Sequence, residues 1–158
     1  MRHAVREMEP DAVIVMFGGN DSQDMNEAGR HLERFSPEWI DAYHRRVGEA
    51  MDILVRGGTR VYWVGMPISR PQRFREWCAL MNGIYQQEAE TRDAVRFVDC
   101  WTLFAGDNGM YAAHLPDGQG KRRLMRTEDG IHLTSAGGDR LAALVWSAMQ
   151  QDFDLRFE

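Results

Sequence analysis

Apolar residues fall along this chain in runs of two kinds, and the way the kinds alternate predicts an architecture. Residues 12–17 (AVIVMF) are continuously apolar and rich in β-branched side chains, bounded by Pro10 and Gly18, the pattern of a strand buried on both faces. Residues 60–66 (RVYWVGM), closed by Pro67, and residues 95–98 (VRFV), ending at Asp99, read as two more strands. Between these runs the period lengthens to that of a helix. Trp39, Ile40, Tyr43, Val47, Ala50, Met51 and Leu54 recur on one helical face, after Ser36 as N-cap and Pro37 in the first turn, until Gly57-Gly58 stops the run. A second helix is expected over 71–92, with Phe74, Trp77, Met81, Ile84, Tyr85 and Ala89 inward. Strand, helix, strand, helix, strand predicts a doubly wound α/β domain with a parallel sheet and right-handed crossovers.

Past residue 109 the pattern changes. Residues 110–113 and 121–125, set about Pro116-Asp117-Gly118, predict a β-hairpin. A C-terminal helix follows, capped by Ser135, with Leu141, Leu144, Val145, Ala148 and Met149 toward the core.

Composition narrows the picture. With 158 residues, 44% of them hydrophobic, the chain has the size of one domain, taken as 1–158. A net charge of -5 without a long like-charge block gives no footprint for nucleic acid. The one basic cluster, KRRLMR at 121–126, reads as a solvated hairpin arm. No apolar run approaches the ~20 residues of a membrane span, and no signal-type segment follows Met1, so the localisation is left open. Cys78 and Cys100 lack any ligand spacing and read as buried free thiols, with no metal or cofactor implied.

Two stretches could carry chemistry. Gly18-Gly19-Asn20-Asp21 leaves the first strand at its carboxyl end, where ligands bind in open α/β sheets. The glycines let the backbone bend close to a ligand, and the Asn20 amide offers a donor for an oxyanion. The same four residues also fit an ordinary strand-to-loop turn with Asp21 as its cap. In Asp129-Gly130-Ile131-His132, just before the last helix, a carboxylate three residues from an imidazole can hold the tautomer that frees the other ring nitrogen as a general base. The alternative is an Asx turn followed by an exposed histidine. His3, His31, His44 and His114 have no partners nearby in sequence and read as surface or packing residues. Trp63, Trp77, Trp101 and Tyr111 either line a pocket or fill the core.

Taken together, a GxND turn after a buried strand and a DxxH motif before the final helix resemble the SGNH (GDSL-type) serine hydrolases, as do the VYWVGMP and FVDCWTLF segments between them. The turn at 18–23, the Ser-Pro-Glu-Trp helix start and the hairpin before the motif at 129–134 are similar to a bacterial branch of that family of poorly defined function. The resemblance implies a three-layer α/β/α domain with a flavodoxin-like parallel sheet, acting without a cofactor on carboxylic (O-acyl) esters of a glycan or a small molecule. It further implies His132 as base, Asp129 orienting it, Asn20 and the Gly18 and Gly19 turn groups at the oxyanion, Asp21 as a structural residue beside the site, and exported complete relatives. The family's Gly-Asp-Ser nucleophile block has no counterpart. The opening HAVREMEPDAVIVM reads as the end of a helix leading into the family's third core strand, so its N-terminal strands are expected to be missing. Ser22 and Ser69 lie on the carboxyl edge as surrogate nucleophiles, though neither sits in a strained, glycine-flanked turn.

Two functions are therefore expected. One is an ester hydrolase whose serine lies outside this chain, which would leave the chain alone nearly inert, since losing a nucleophile costs on the order of a million-fold in turnover. The other is a non-catalytic binding or assembly module associated with glycan acylation. In either case residues 12–17 would form an unpaired apolar edge, open to a homodimer.

Overall fold

A computed structural model describes residues 2–153. Helix α1 (Arg2–Met8) leads into β1 (Ala12–Val15), and a small antiparallel pair, β2 (Met25–Glu27) and β3 (Arg30–Leu32), follows. Then come α2 (Pro37–Leu54), β4 (Arg60–Val64), α3 (Gln72–Glu90) and β5 (Val95–Val98). The strands β6 (His114–Pro116) and β7 (Arg122–Leu124) form a second hairpin before α4 (Ser135–Asp152).

β1, β4 and β5 form one parallel sheet in that order, with Val15 opposite Trp63 and Trp63 opposite Phe97. Side chains alternate across it. Val15, Val61, Trp63 and Val95 pack toward α2 and α3, while Tyr62, Val64 and Val98 pack toward α4 and the second hairpin. The result is the expected α/β/α sandwich with two cores. α2 begins as expected: Ser36 Oγ accepts from the Trp39 backbone N–H at 3.2 Å, and Pro37 occupies the first turn. Trp39 stacks on Tyr43 at 4.9 Å between ring centroids, and Trp77 of α3 meets Trp39 edge-on at 5.5 Å. Among the described residues no helix is long and apolar enough to cross a membrane.

Several expectations are corrected. β1 ends at Val15 and is not buried on both faces, because α4 lies over β4 and β5 and leaves Ile14 54% exposed. Among the described residues β1 has β4 as its one neighbour, so it is an edge. The second strand of the hairpin, Arg122–Leu124, falls within the expected 121–125, but the first is His114–Pro116 rather than 110–113, of which Tyr111 bridges Ala105 and the Ala113 carbonyl accepts from Met125 N at 2.8 Å. The turn lies at the expected Asp117, whose Oδ1 accepts from the N–H groups of Gln119 and Lys121. The basic arm is solvated through Leu124, but Arg126 is buried. The last helix is capped by Thr134, whose Oγ1 accepts from Gly137 N at 3.2 Å; Ser135 is its first helical residue. Cys78 and Cys100 are buried free thiols.

Candidate active site

The chain leaves β1 through a turn closed by the Asp21 N–H donating to the Gly18 carbonyl at 3.0 Å. Gly18 has φ +114°, and a Cβ there would lie 2.3 Å from the Tyr85 hydroxyl. The position therefore demands glycine on backbone and packing grounds alike. Beneath the turn runs a hydrogen-bonded line: Tyr43 Oη donates to Asp21 Oδ2 at 2.7 Å and lies 3.2 Å from Tyr85 Oη, which donates to the Phe17 carbonyl at 3.3 Å. Burial, then the neighbouring Tyr85 and Asp21, raises the Tyr43 phenol far above its ordinary range, so it stays a neutral donor. Asp21 is thus an anchor from turn to core. Asn20 is exposed at the tip, with its backbone carbonyl accepting from Gln23 Nε2.

The second turn is tied by one carboxylate. Asp129 Oδ1 accepts from the N–H groups of Ile131 at 2.7 Å and His132 at 3.0 Å and from Thr127 Oγ1 at 2.7 Å. Asp129 Oδ2 lies 2.5 Å from His132 Nδ1. The His132 contact first, then these backbone and hydroxyl donors, hold the Asp129 carboxyl far below the usual carboxylate range. An ionised Asp129 is an acceptor only, so Nδ1 carries the proton and Nε2 is free to accept one. The His132 side chain is 77% exposed, so that nitrogen is accessible.

One groove of about 670 Å³ joins the two turns. Gly18, Gly19, Asn20 and Asp21 form one wall and Ile131, His132 and Leu133 another, over an apolar floor that includes Met16, Phe17, Met66 and Phe74. A second cavity of about 340 Å³ lies on the far side of the Asn20 turn, against Tyr43, Arg46 and Trp63. The other sequence candidates do not join the dyad, although the residue after Ser69, Arg70, donates its N–H to the Gly130 carbonyl at 3.0 Å. Ser22 faces a different cleft, with Arg34, Phe35 and Trp77. Ser69 is buried beside Cys78, and its Oγ makes no hydrogen bond to the dyad. Among the described residues no serine hydroxyl hydrogen-bonds to His132. Cys78 borders the groove, but burial pushes its thiol up to about 11, which leaves it protonated at neutral pH. Trp63 and Trp77 are core residues. His44, far from the groove, lies 2.9 Å from Glu88.

Sequence reasoning missed Arg126. Its guanidinium is buried, donating from Nη1 to the Ile131 carbonyl at 2.5 Å and from Nη2 to that of Ile68, with Cζ 4.9 Å from the Phe104 ring centroid. Both carbonyls come from turns with no apolar period to announce them. It also missed Tyr43 and Tyr85 as supports, since their spacing marks only a core face.

A family model described as "Protein of unknown function (DUF459)" matches residues 1–148. No curated protein matches the sequence. A GDSL-like lipase from Bacteroides thetaiotaomicron VPI-5482 is 16% identical with a TM-score of 0.62, over 96% of this chain and 68% of that one. A protein from Bacteroides fragilis NCTC 9343, provisionally described as an acylhydrolase, is 17% identical with a TM-score of 0.62, over 96% and 66%. A protein from Streptococcus pneumonia, provisionally described as a platelet activating factor, is 16% identical with a TM-score of 0.59, over 87% and 59%. The chain thus spans about 59 to 68% of the length of these three proteins, and at such identities the likeness is one of fold.

Proposed function

This chain belongs to the DUF459 family, with an SGNH/GDSL-type fold, and on that premise we propose that it carries the base and oxyanion parts of a carboxylic-ester hydrolase. The observation that supports this most is the single groove walled by the Asn20 turn and the His132 turn, 112 residues apart in sequence (132 minus 20). In the reaction a serine hydroxyl attacks the acyl carbonyl while His132 Nε2 takes its proton. Asp129 keeps Nδ1 protonated and stabilises the imidazolium. The Asn20 amide, with the N–H groups of the turn at Gly18 and Gly19, donates to the oxyanion as the tetrahedral intermediate forms. His132 then returns the proton to the departing alkoxide, and water repeats the sequence to release the acid. Met16, Phe17, Met66 and Phe74 would hold the apolar acyl part, and the open side would admit a small alcohol or a glycan. We place the attacking serine outside these 158 residues, a reading supported by the placement of the Ser22 and Ser69 hydroxyls, neither of which hydrogen-bonds to the dyad.

That same placement favours a second reading, a binding or assembly module that keeps the groove without turnover. Intact-mass analysis after fluorophosphonate treatment separates the two when it is run on this chain and on the product of any longer reading frame that contains it. The hydrolase reading expects no adduct on this chain, and on the longer product one adduct that is lost in His132→Ala. It also expects Asn20→Ala in that product to lower turnover of an aryl acyl ester by roughly a hundred- to a thousand-fold. A longer product that neither labels nor turns over leaves the binding module.

A further inference from the structure

Arg126 is 1% exposed, and among the described residues no carboxylate pairs with its guanidinium. A charge in such a place is costly, and here Nη1 and Nη2 each donate to a backbone carbonyl of a different segment, while Nε, also buried, has no hydrogen-bond partner among the described residues. One carbonyl belongs to Ile68, just past Met66 and Pro67 on the floor of the groove; the other belongs to Ile131. The Ile131 carbonyl and the His132 N–H are the two ends of one peptide group. Arg126 holds the carbonyl end, and Asp129 Oδ1 accepts from the N–H end at 3.0 Å. The next carbonyl, that of His132, accepts from Thr127 N at 2.9 Å. The peptide from which the imidazole projects is therefore gripped on both edges, and the grip is referred to the groove floor rather than to the turn alone.

We propose that Arg126 is a positioning residue that fixes the plane of the Ile131–His132 peptide, and with it the direction of the His132 imidazole, against the segment after β4. This rests on reading His132 as the base. A lysine keeps the charge but not the planar fork that spans both carbonyls, and a methionine keeps approximate length without any donor. Neither restores the grip, although Phe104 still packs beneath.

The test is made on the 158-residue chain by ¹⁵N NMR of Arg126→Lys and Arg126→Met. The native chain shows a single His132 tautomer with Nδ1 protonated. In the variants that signature is lost or broadened, and the His132 amide exchanges about tenfold faster or more, a larger change than in β4 and β5. A folded variant that melts earlier yet keeps native His132 signals and exchange overturns the proposal, because a merely structural arginine would behave so. Should neither variant fold, the native chain decides. Arg126 guanidinium protons exchanging about a hundredfold slower than those of exposed Arg122 and Arg123 support the grip, and equal rates overturn it. No readout needs turnover, so the absence of esterase activity would bear on the proposed function and leave this test standing.

Discussion

At the scale of single residues, the turns carry most of what can be broken. Gly18→Ala places a Cβ against the Tyr85 hydroxyl at a backbone angle that L-residues avoid. The variant is expected to lose about 1–3 kcal/mol in urea unfolding, and an unchanged midpoint would show that the turn relaxes freely. Asp129 makes a pH prediction whose sign follows from its depressed folded-state pKa. Its contribution is present above the ordinary aspartate value near ~3.9 and is lost only as pH falls through the lower folded value. Amide protection of Ile131 and His132 should accordingly persist at about pH 4, and its collapse there by hydrogen exchange would contradict the Asp129 geometry. Asn20, Asp129 and His132 were legible in the sequence because each belongs to a short motif whose chemistry is local. Arg126 and the Asp21–Tyr43–Tyr85 line were not, since each acquires its meaning from partners tens of residues away.

At the scale of elements, what the pattern predicted depended on whether burial or turn chemistry decided the boundary. The two crossover helices and β4 and β5 are buried on at least one face, and their periodicity located them to within a few residues. The first arm of the second hairpin lies a few residues later than the apolar run at 110–113 because the Asp117 Asx turn fixes its register, while the second arm lies where it was expected. β2 and β3, three residues each and largely polar, carry no period to read. The start of α4 offers a direct check between adjacent hydroxyls. Thr134→Ala removes the side chain that accepts from Gly137 N and donates to the Leu124 carbonyl, and should cost about 1 kcal/mol or more. Ser135→Ala should be close to neutral, and the reverse order in thermal melts would restore Ser135 as the cap.

At the scale of the molecule, the open edge of β1 is the dominant feature. The Asp11 carbonyl accepts from Arg60 N, so by alternation the N–H and C=O of Ile14 point away from β4, toward the open side. Ile14 is exposed beside Met16 (43%) and Phe17 (50%), which makes this edge both apolar and unpaired. The chain should associate as concentration rises, and Ile14→Lys should abolish that association in light scattering without altering the circular dichroism. A native chain that stays monomeric at high concentration would show the edge to be inert. That the sequence pattern read β1 as buried on both faces fits this view, for its composition suits a covering the described residues do not supply.

The order of the sheet also says something about synthesis. β4 adds to β1 and β5 adds to β4, each on the side away from the first strand, so the sheet and the α2–α3 core can be complete once residues 2–98 have left the ribosome. The face formed by Tyr62, Val64 and Val98 is covered later and in stages, first by Phe104, then by Leu115 and Met125 of the second hairpin region, and last by Val145 of α4. The nascent chain therefore carries a finished α2–α3 side while its other apolar side is still being filled, and the histidine turn is delivered late in that interval, just ahead of the helix that closes it.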